Sequence, residues 1–95
     1  MPNVVYAPEA ENDISGIVDV IARDDPGAAR NWLTKLRETC DTLATQPGVG
    51  EMRTDLGVPG CRSFSIGNYV VFFRAAQDRV EVARVIHGSR DLRNM

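Results

Sequence analysis

The sequence predicts an α+β fold in which a helical hairpin packs on a small curved antiparallel sheet, with the element order β-α-α-β-β-β. Two stretches in the first half carry apolar residues at helical spacing, and the last third carries three strand-like runs separated by turn residues. A helical half followed by a strand half, in a chain of 95 residues, predicts one domain spanning 1–95.

The first two elements are a short strand and an amphipathic helix. Residues 4–6 are apolar and extended in character, and Pro8 ends the strand. Pro8 also suits the first turn of a helix, because the N–H that proline lacks would have no partner there. The apolar residues that follow recur at intervals of four, three, one and three, which predicts a helix with one buried face. They are Ala10, Ile14, Ile17, Val18 and Ile21.

A second helix repeats this pattern after Asp25-Pro26, a dipeptide typical of a helix N-terminus. Gln46 marks its end, because the Pro47-Gly48 pair that follows cannot continue a helix. Two helices with a short link and facing apolar stripes predict an antiparallel hairpin. The stripe of the second helix consists of Ala29, Leu33, Leu36, Cys40 and Leu43, with Trp32 beside it.

Strands are predicted at residues 61–66, 69–75 and 79–87, after a surface loop at residues 48–60. Gly67-Asn68 fits a two-residue hairpin turn, because glycine adopts positive φ without strain. The middle strand carries apolar side chains on both faces. We therefore expect one face to cover the helices and the other to be covered by the tail or by a partner.

Composition favours a cytoplasmic globular protein. The apolar fraction of 43% and the charged fraction of 25% are those of folded domains, so we expect a folded chain rather than a disordered one. The N-terminus lacks the features of a secretory signal, and no apolar run approaches the length of a membrane span. Two cysteines, Cys40 and Cys61, are better interpreted as reduced thiols than as a disulfide framework.

Charge is distributed unevenly along the chain, whose formal net charge is −2. Residues 1–59 contain five basic and ten acidic side chains, whereas residues 60–95 contain six basic and three acidic ones. The sheet half is therefore electropositive and can attract an acidic partner. The molecule as a whole lacks the strong positive field of tight nucleic-acid binders, so we expect no direct sequence-specific nucleic-acid binding.

Several segments, taken in order, resemble the ParE-type toxins of the RelE/ParE superfamily, which are encoded in plasmid-stabilisation toxin–antitoxin modules. They are residues 8–10 and 13–14 in the first helix, Leu43 and residues 46–50 at the end of the second, Arg62, and residues 69–74 and 82–91 in the sheet half. The resemblance covers nearly the whole chain.

This resemblance implies a RelE/ParE-like fold and a toxin that inhibits DNA gyrase and is neutralised by a cognate ParD-like antitoxin. It implies no catalytic chemistry, no cofactor and no metal ion. One alternative is a RelE-type ribosome-dependent mRNA endonuclease, in which His87, Arg84 and Arg90 would form the catalytic site. Another is an inactive member that only binds an antitoxin.

Three departures from the nuclease branch favour the ParE-type interpretation. Members of that branch usually carry an arginine at the position of Val70 and commonly end in a catalytic tyrosine or histidine, neither of which occurs at residues 91–95 here. They are also strongly basic, as docking on ribosomal RNA requires, and this chain is not.

Cationic side chains of the sheet half are candidates for contact with gyrase or the antitoxin, because arginine pairs well with carboxylates. The sequence does not fix which of them share a face of the sheet. The plainer interpretation is that the arginines pair with Asp78, Glu81 and the acidic helices, and that the histidine bonds to the backbone at the end of a strand. The candidates are Arg62, Arg74, Arg84, His87, Arg90 and Arg93.

Trp32, Tyr69 and Phe72 are candidates for a groove that receives apolar side chains of the antitoxin, although such residues more often lie in a core. No metal site is predicted, because neither a histidine nor a second cysteine lies at metal-ligand spacing from Cys61. The 48–60 loop carries no phosphate-binding pattern.

Overall fold

Two helices lie on one face of a five-stranded sheet, which confirms the predicted α+β class. The computed structural model describes residues 3–46, 48–57, 59–76 and 78–90, excluding the side chains of Leu56 and Arg90. The elements are β1 (Asn3–Tyr6), α1 (Pro8–Asp24), α2 (Pro26–Thr45), β2 (Glu51–Met52), β3 (Cys61–Ile66), β4 (Tyr69–Ala75) and β5 (Arg79–His87), with short 3₁₀ helices at Thr54–Leu56 and Gly88–Arg90.

The strand order is β1-β5-β4-β3-β2. The expected antiparallel arrangement holds for β3, β4 and β5, which are joined by short turns. It does not hold for β1, which pairs in parallel with β5, so the sheet is mixed. The reason is topological, because β1 is followed by both helices and three further strands before the chain reaches its neighbour, and parallel pairing requires such a crossover.

The helical hairpin forms as predicted, and its apolar stripes make the core. Asp25 caps α2, since its side-chain Oδ1 accepts a hydrogen bond of 3.1 Å from the Ala28 N–H. Leu36, Cys40 and Leu43 are fully buried on α2 and belong to one cluster with the inward-facing side chains of the sheet. Among the described residues, no helix is long and apolar enough to cross a membrane.

The segment after α2 differs from the surface loop that the sequence predicts. It contains the short strand β2 and places Arg53 on the sheet face opposite the helices, where only 3% of the residue is exposed. The guanidinium lies 5.1 Å from the centre of the Phe72 ring and pairs with the Asp55 carboxylate at 3.1 Å. It also donates to the Ser63 hydroxyl at 3.3 Å. The second apolar face of β4 is therefore covered at Phe72 by the chain's own loop.

Candidate interaction site

A groove of about 640 Å³ lies between α1 and the second half of β5. Gly16, Ile17 and Val20 line it from the helix, and Val85 and His87 line it from the sheet. Val20 is 54% exposed and is one of the large apolar side chains that the described fold leaves accessible to solvent. The groove is accessible from solvent and has a mixed lining, with apolar side chains beside the polar Asn12, Asp13, Arg84, His87 and Ser89.

A row of rings forms one wall of this groove and extends to α2. The Trp32 and Tyr69 rings meet edge to face with centroids 5.4 Å apart, and Tyr69 meets the His87 ring in the same way at 5.3 Å. Two of the three predicted groove residues are therefore neighbours. The third, Phe72, lies on the opposite sheet face and is 1% exposed, because Arg53 covers it.

His87 bonds to the backbone beyond the end of β5, as the plainer sequence interpretation expects. The Ser89 N–H donates to its Nδ1 at 3.1 Å, and the Ser89 hydroxyl lies 2.8 Å from the same atom. Because a backbone N–H can only donate, Nδ1 is an acceptor and the proton of the neutral ring lies on Nε2. The hydrogen bond from Ser89 fixes the orientation of the His87 ring and leaves Nε2 as the ring nitrogen that a partner could contact.

Asp13 and Arg84 close one end of the groove. The carboxylate of Asp13 accepts from Arg84 Nε at 2.7 Å and Nη2 at 3.1 Å, and also from the Val85 N–H at 3.0 Å. The bond to Asp13 raises the pKa of the Arg84 guanidinium above its ordinary value, so Arg84 carries a positive charge. One carboxylate thus holds α1 against the sheet and caps a backbone donor of β5.

A β-bulge brings Arg84 to this position. Phe73 pairs with Val82 and Phe72 with Arg84, so Ala83 is an extra residue in β5. Bulges change the direction of the side chains that follow them and increase the local twist. The register alone would place Arg84 on the face of Phe72, yet its guanidinium reaches Asp13 on α1.

Arg62 and Arg74 do not join Arg84 in a cationic patch. Arg62 lies opposite Phe73 and Arg74 opposite Cys61, so the two occupy different faces of the sheet. Arg62 donates to the Gly48 and Gly50 carbonyls, and Arg74 pairs with Glu81 at 2.9 Å. Of the candidate contact residues whose side chains the structure describes, only Arg84 and His87 line the groove. The Arg90 side chain and the whole of Arg93 lie outside the described part of the chain.

A family model described as the ParE toxin of the type II toxin–antitoxin system parDE matches residues 4–92. The chain belongs to the ParE toxin family. No curated protein matches it. A solved chain of the chromosomal ParDE toxin–antitoxin system from P. aeruginosa superposes on this ParE-family chain with a TM-score of 0.72 and 18% identity, covering 92% of this chain and 96% of that one. The likeness shows that the two share a fold.

The two cysteines of this ParE-family chain are free thiols, and both are buried. Burial raises the pKa of Cys40 and of Cys61, so neither is an activated nucleophile. Within residues 3–46, 48–57, 59–76 and 78–90, no group of three or more His, Cys, Asp or Glu side chains is placed to hold a metal ion.

Three structurally engaged or groove-lining residues are absent from the candidates that the sequence suggests: Asp13 and Gly16, which line the groove, and Arg53, which lies on the opposite face of the sheet. Gly16 carries the clearest sequence signal, because a glycine inside a helical stripe lowers helix stability and so suggests a special role. Asp13 resembles the other acids of an acidic helix, and Arg53 resembles any charged residue of a loop. Asp13 pairs with Arg84, which is remote in sequence, and Arg53 contacts Phe72 and Ser63, whose positions depend on the strand register. Only the folded structure therefore identifies Asp13 and Arg53 as engaged residues.

Proposed function

We propose that this ParE-family chain is the toxin component of a type II toxin–antitoxin module, that it inhibits DNA gyrase by binding, and that a ParD-like antitoxin restrains it in the cytoplasm. The observation that carries the proposal is the match to the ParE toxin family over residues 4–92. The solved structure that shares this fold comes from a ParDE system, which agrees with a partner of the ParD type.

The local partners of the cationic groups favour an action by binding. RNA cleavage requires a general base and free cations that converge on one phosphate. Here Arg84 is engaged by Asp13 and Arg74 by Glu81, on different parts of the sheet. His87 accepts a backbone hydrogen bond through Nδ1. Within the described residues each of the two arginines is engaged by a carboxylate and His87 is held through Nδ1, so the three groups do not converge on one point, which supports a toxin without catalytic chemistry of its own.

The decisive experiment measures conversion of relaxed plasmid to the supercoiled form by purified gyrase with and without the protein. We expect inhibition by the wild type, and its loss on addition of the antitoxin encoded beside the toxin. His87→Gln is the matched variant, because glutamine retains hydrogen bonding and removes titration. We expect it to inhibit gyrase as the wild type does.

Two results would contradict the proposal in different ways. Cleavage of transcripts on translating ribosomes, with gyrase turnover unchanged and the cleavage abolished by His87→Gln, would assign the protein to RNA cleavage. Antitoxin binding without any effect on gyrase or transcripts would identify an inactive member. In cells the proposal predicts filamentation and a DNA-damage response while translation continues.

A further inference from the structure

We infer that the turn after β5 is a proton-sensitive device, which neutral His87 holds closed through Ser89 and which protonation of the imidazole loosens. The turn is the short 3₁₀ helix Gly88–Arg90. The inference rests on the hydrogen bonds within this segment, so it is independent of the macromolecule that the protein binds.

The polar groups of Ser89 meet a single nitrogen of the imidazole. The Ser89 backbone N–H donates to His87 Nδ1 at 3.1 Å, and the Ser89 hydroxyl oxygen lies 2.8 Å from the same atom. Asparagine and aspartate side chains stabilise turns in the same way, by accepting from the backbone N–H two residues on. The neutral imidazole accordingly stabilises this turn as a side-chain acceptor.

Protonation converts this nitrogen from an acceptor into a donor. A neutral imidazole has one accepting nitrogen, whereas an imidazolium donates from both. In the charged ring Nδ1–H faces the Ser89 N–H, and the hydrogen bond between them is lost because two donors cannot bond each other. The Ser89 hydroxyl can accept from Nδ1–H, since a hydroxyl both donates and accepts. Protonation therefore moves the bond of the ring from the backbone of Ser89 to its side chain and releases the backbone N–H.

A second hydrogen bond limits how far this effect extends. The Gly88 N–H donates to the Asn68 carbonyl at 2.7 Å, and that bond involves no titratable group. We therefore expect acid to leave the pairing of β5 with β4 intact and to act on the chain from Ser89 onward. Residues 91–95, which include the contact candidate Arg93, follow this turn in the sequence. Protonation of one ring thus changes how firmly the point from which they continue is held.

Three other titratable side chains line the groove beside His87 in the described part of the chain. Asp13 on α1 and Arg84 on β5 bond each other at 2.7 Å, and Tyr69 on β4 meets the imidazole edge to face. Carboxyl, guanidinium and phenol groups ordinarily change charge outside the range from about pH 5 to about pH 8, whereas an imidazole changes charge within it. His87 is exposed to solvent, so protons reach its ring directly. The imidazole is therefore the group that responds in this range.

NMR of the full wild-type chain tests the inference, because a scalar coupling between the Ser89 amide nitrogen and His87 Nδ1 reports their hydrogen bond directly. We expect the coupling and an Nε2-protonated ring at about pH 8, and no coupling at about pH 5. Protection of the Ser89 amide from exchange, taken relative to the intrinsic rate at each pH, should fall about two- to tenfold, as expected for one ordinary hydrogen bond. The Gly88 amide is the internal control and should change less than about twofold.

Two variants separate the imidazole from the hydroxyl. His87→Asn provides a carbonyl oxygen that accepts from the Ser89 N–H and does not titrate, so the protection of that amide should be the same at both pH values. Ser89→Ala keeps the backbone N–H and removes the hydroxyl that accepts from the charged ring. The loss of protection at residue 89 on acidification should then be at least as large as in the wild type.

Four results would each overturn the inference. They are a neutral ring that carries its proton on Nδ1 at about pH 8, protection of Ser89 that is unchanged at about pH 5, and the same pH response in His87→Asn as in the wild type. The fourth is a loss of protection at Gly88 as large as that at Ser89, because it would show that the whole end of the strand opens. None of these measurements involves gyrase or an antitoxin, so their outcome leaves the proposed function to its own test.

Discussion

Replacement of Asp13 by alanine should destabilise the protein by about 2 kcal/mol, since a hydrogen bond to a charged group contributes about 1.5–3 kcal/mol and an unmet buried donor costs about 1–3 kcal/mol. The carboxylate is only 14% exposed and accepts from the Val85 N–H, whose residue is 1% exposed. Arg84 is 37% exposed, so water can solvate its guanidinium after the change, and the ion pair contributes the smaller share.

Urea denaturation followed by circular dichroism measures this change. Asp19→Ala is the control, because Asp19 is exposed on the same helix and shares the gain in helix propensity of up to about 0.7 kcal/mol. Asp13→Asn retains a carbonyl acceptor for Val85 and should cost about half as much as alanine. A difference between Asp13→Ala and Asp19→Ala below about 0.5 kcal/mol would show that the carboxylate does not hold α1 to β5.

Two further predictions concern the loop and the core. Arg53→Lys keeps the charge but loses the paired contact with Asp55 and the guanidinium that lies over the Phe72 ring. It should lower the free energy of unfolding by about 1–2 kcal/mol, and an unchanged urea midpoint would contradict that role. Burial raises the pKa of Tyr6 and of Cys40, which share a hydrogen bond. The unfolded chain releases these protons at lower pH, above about 8.5 for cysteine and about 10 for tyrosine, so stability should fall as pH rises through that range. Tyr6→Phe should make the fall above about pH 10 shallower, and an equally steep fall would show that Tyr6 is not responsible.

The two helices and the three strands of the second half were predictable because each of them is encoded by local residues. Asp25-Pro26 starts a helix by capping and Gly67-Asn68 closes a hairpin, and neither depends on remote contacts. The short strand β2 was not predictable, because two exposed residues carry no periodic pattern and pair with β3 only when the loop folds back. The parallel pairing of β1 was also hidden, since its direction follows from the crossover through the helices.

The candidate site was only partly predictable. Two of the predicted groove residues, Trp32 and Tyr69, lie in one aromatic row with His87. The third, Phe72, faces the other side of the sheet, because side chains alternate along β4, and there it lies under Arg53. No sequence pattern predicts the one-residue bulge at Ala83, which directly precedes Arg84, and the Arg84 guanidinium reaches Asp13 on α1.

The sequence by itself determined the class of fold, the helix and strand boundaries to within a few residues, and the resemblance to ParE-type toxins, because periodicity, capping and turn residues act over a few positions. The tertiary structure decided which arginines are engaged, which face of the sheet is covered from within, and which strands are neighbours in the sheet. Those features depend on the register of β4 and β5 and on contacts between residues some 70 positions apart, such as Asp13 and Arg84, and no local pattern specifies them.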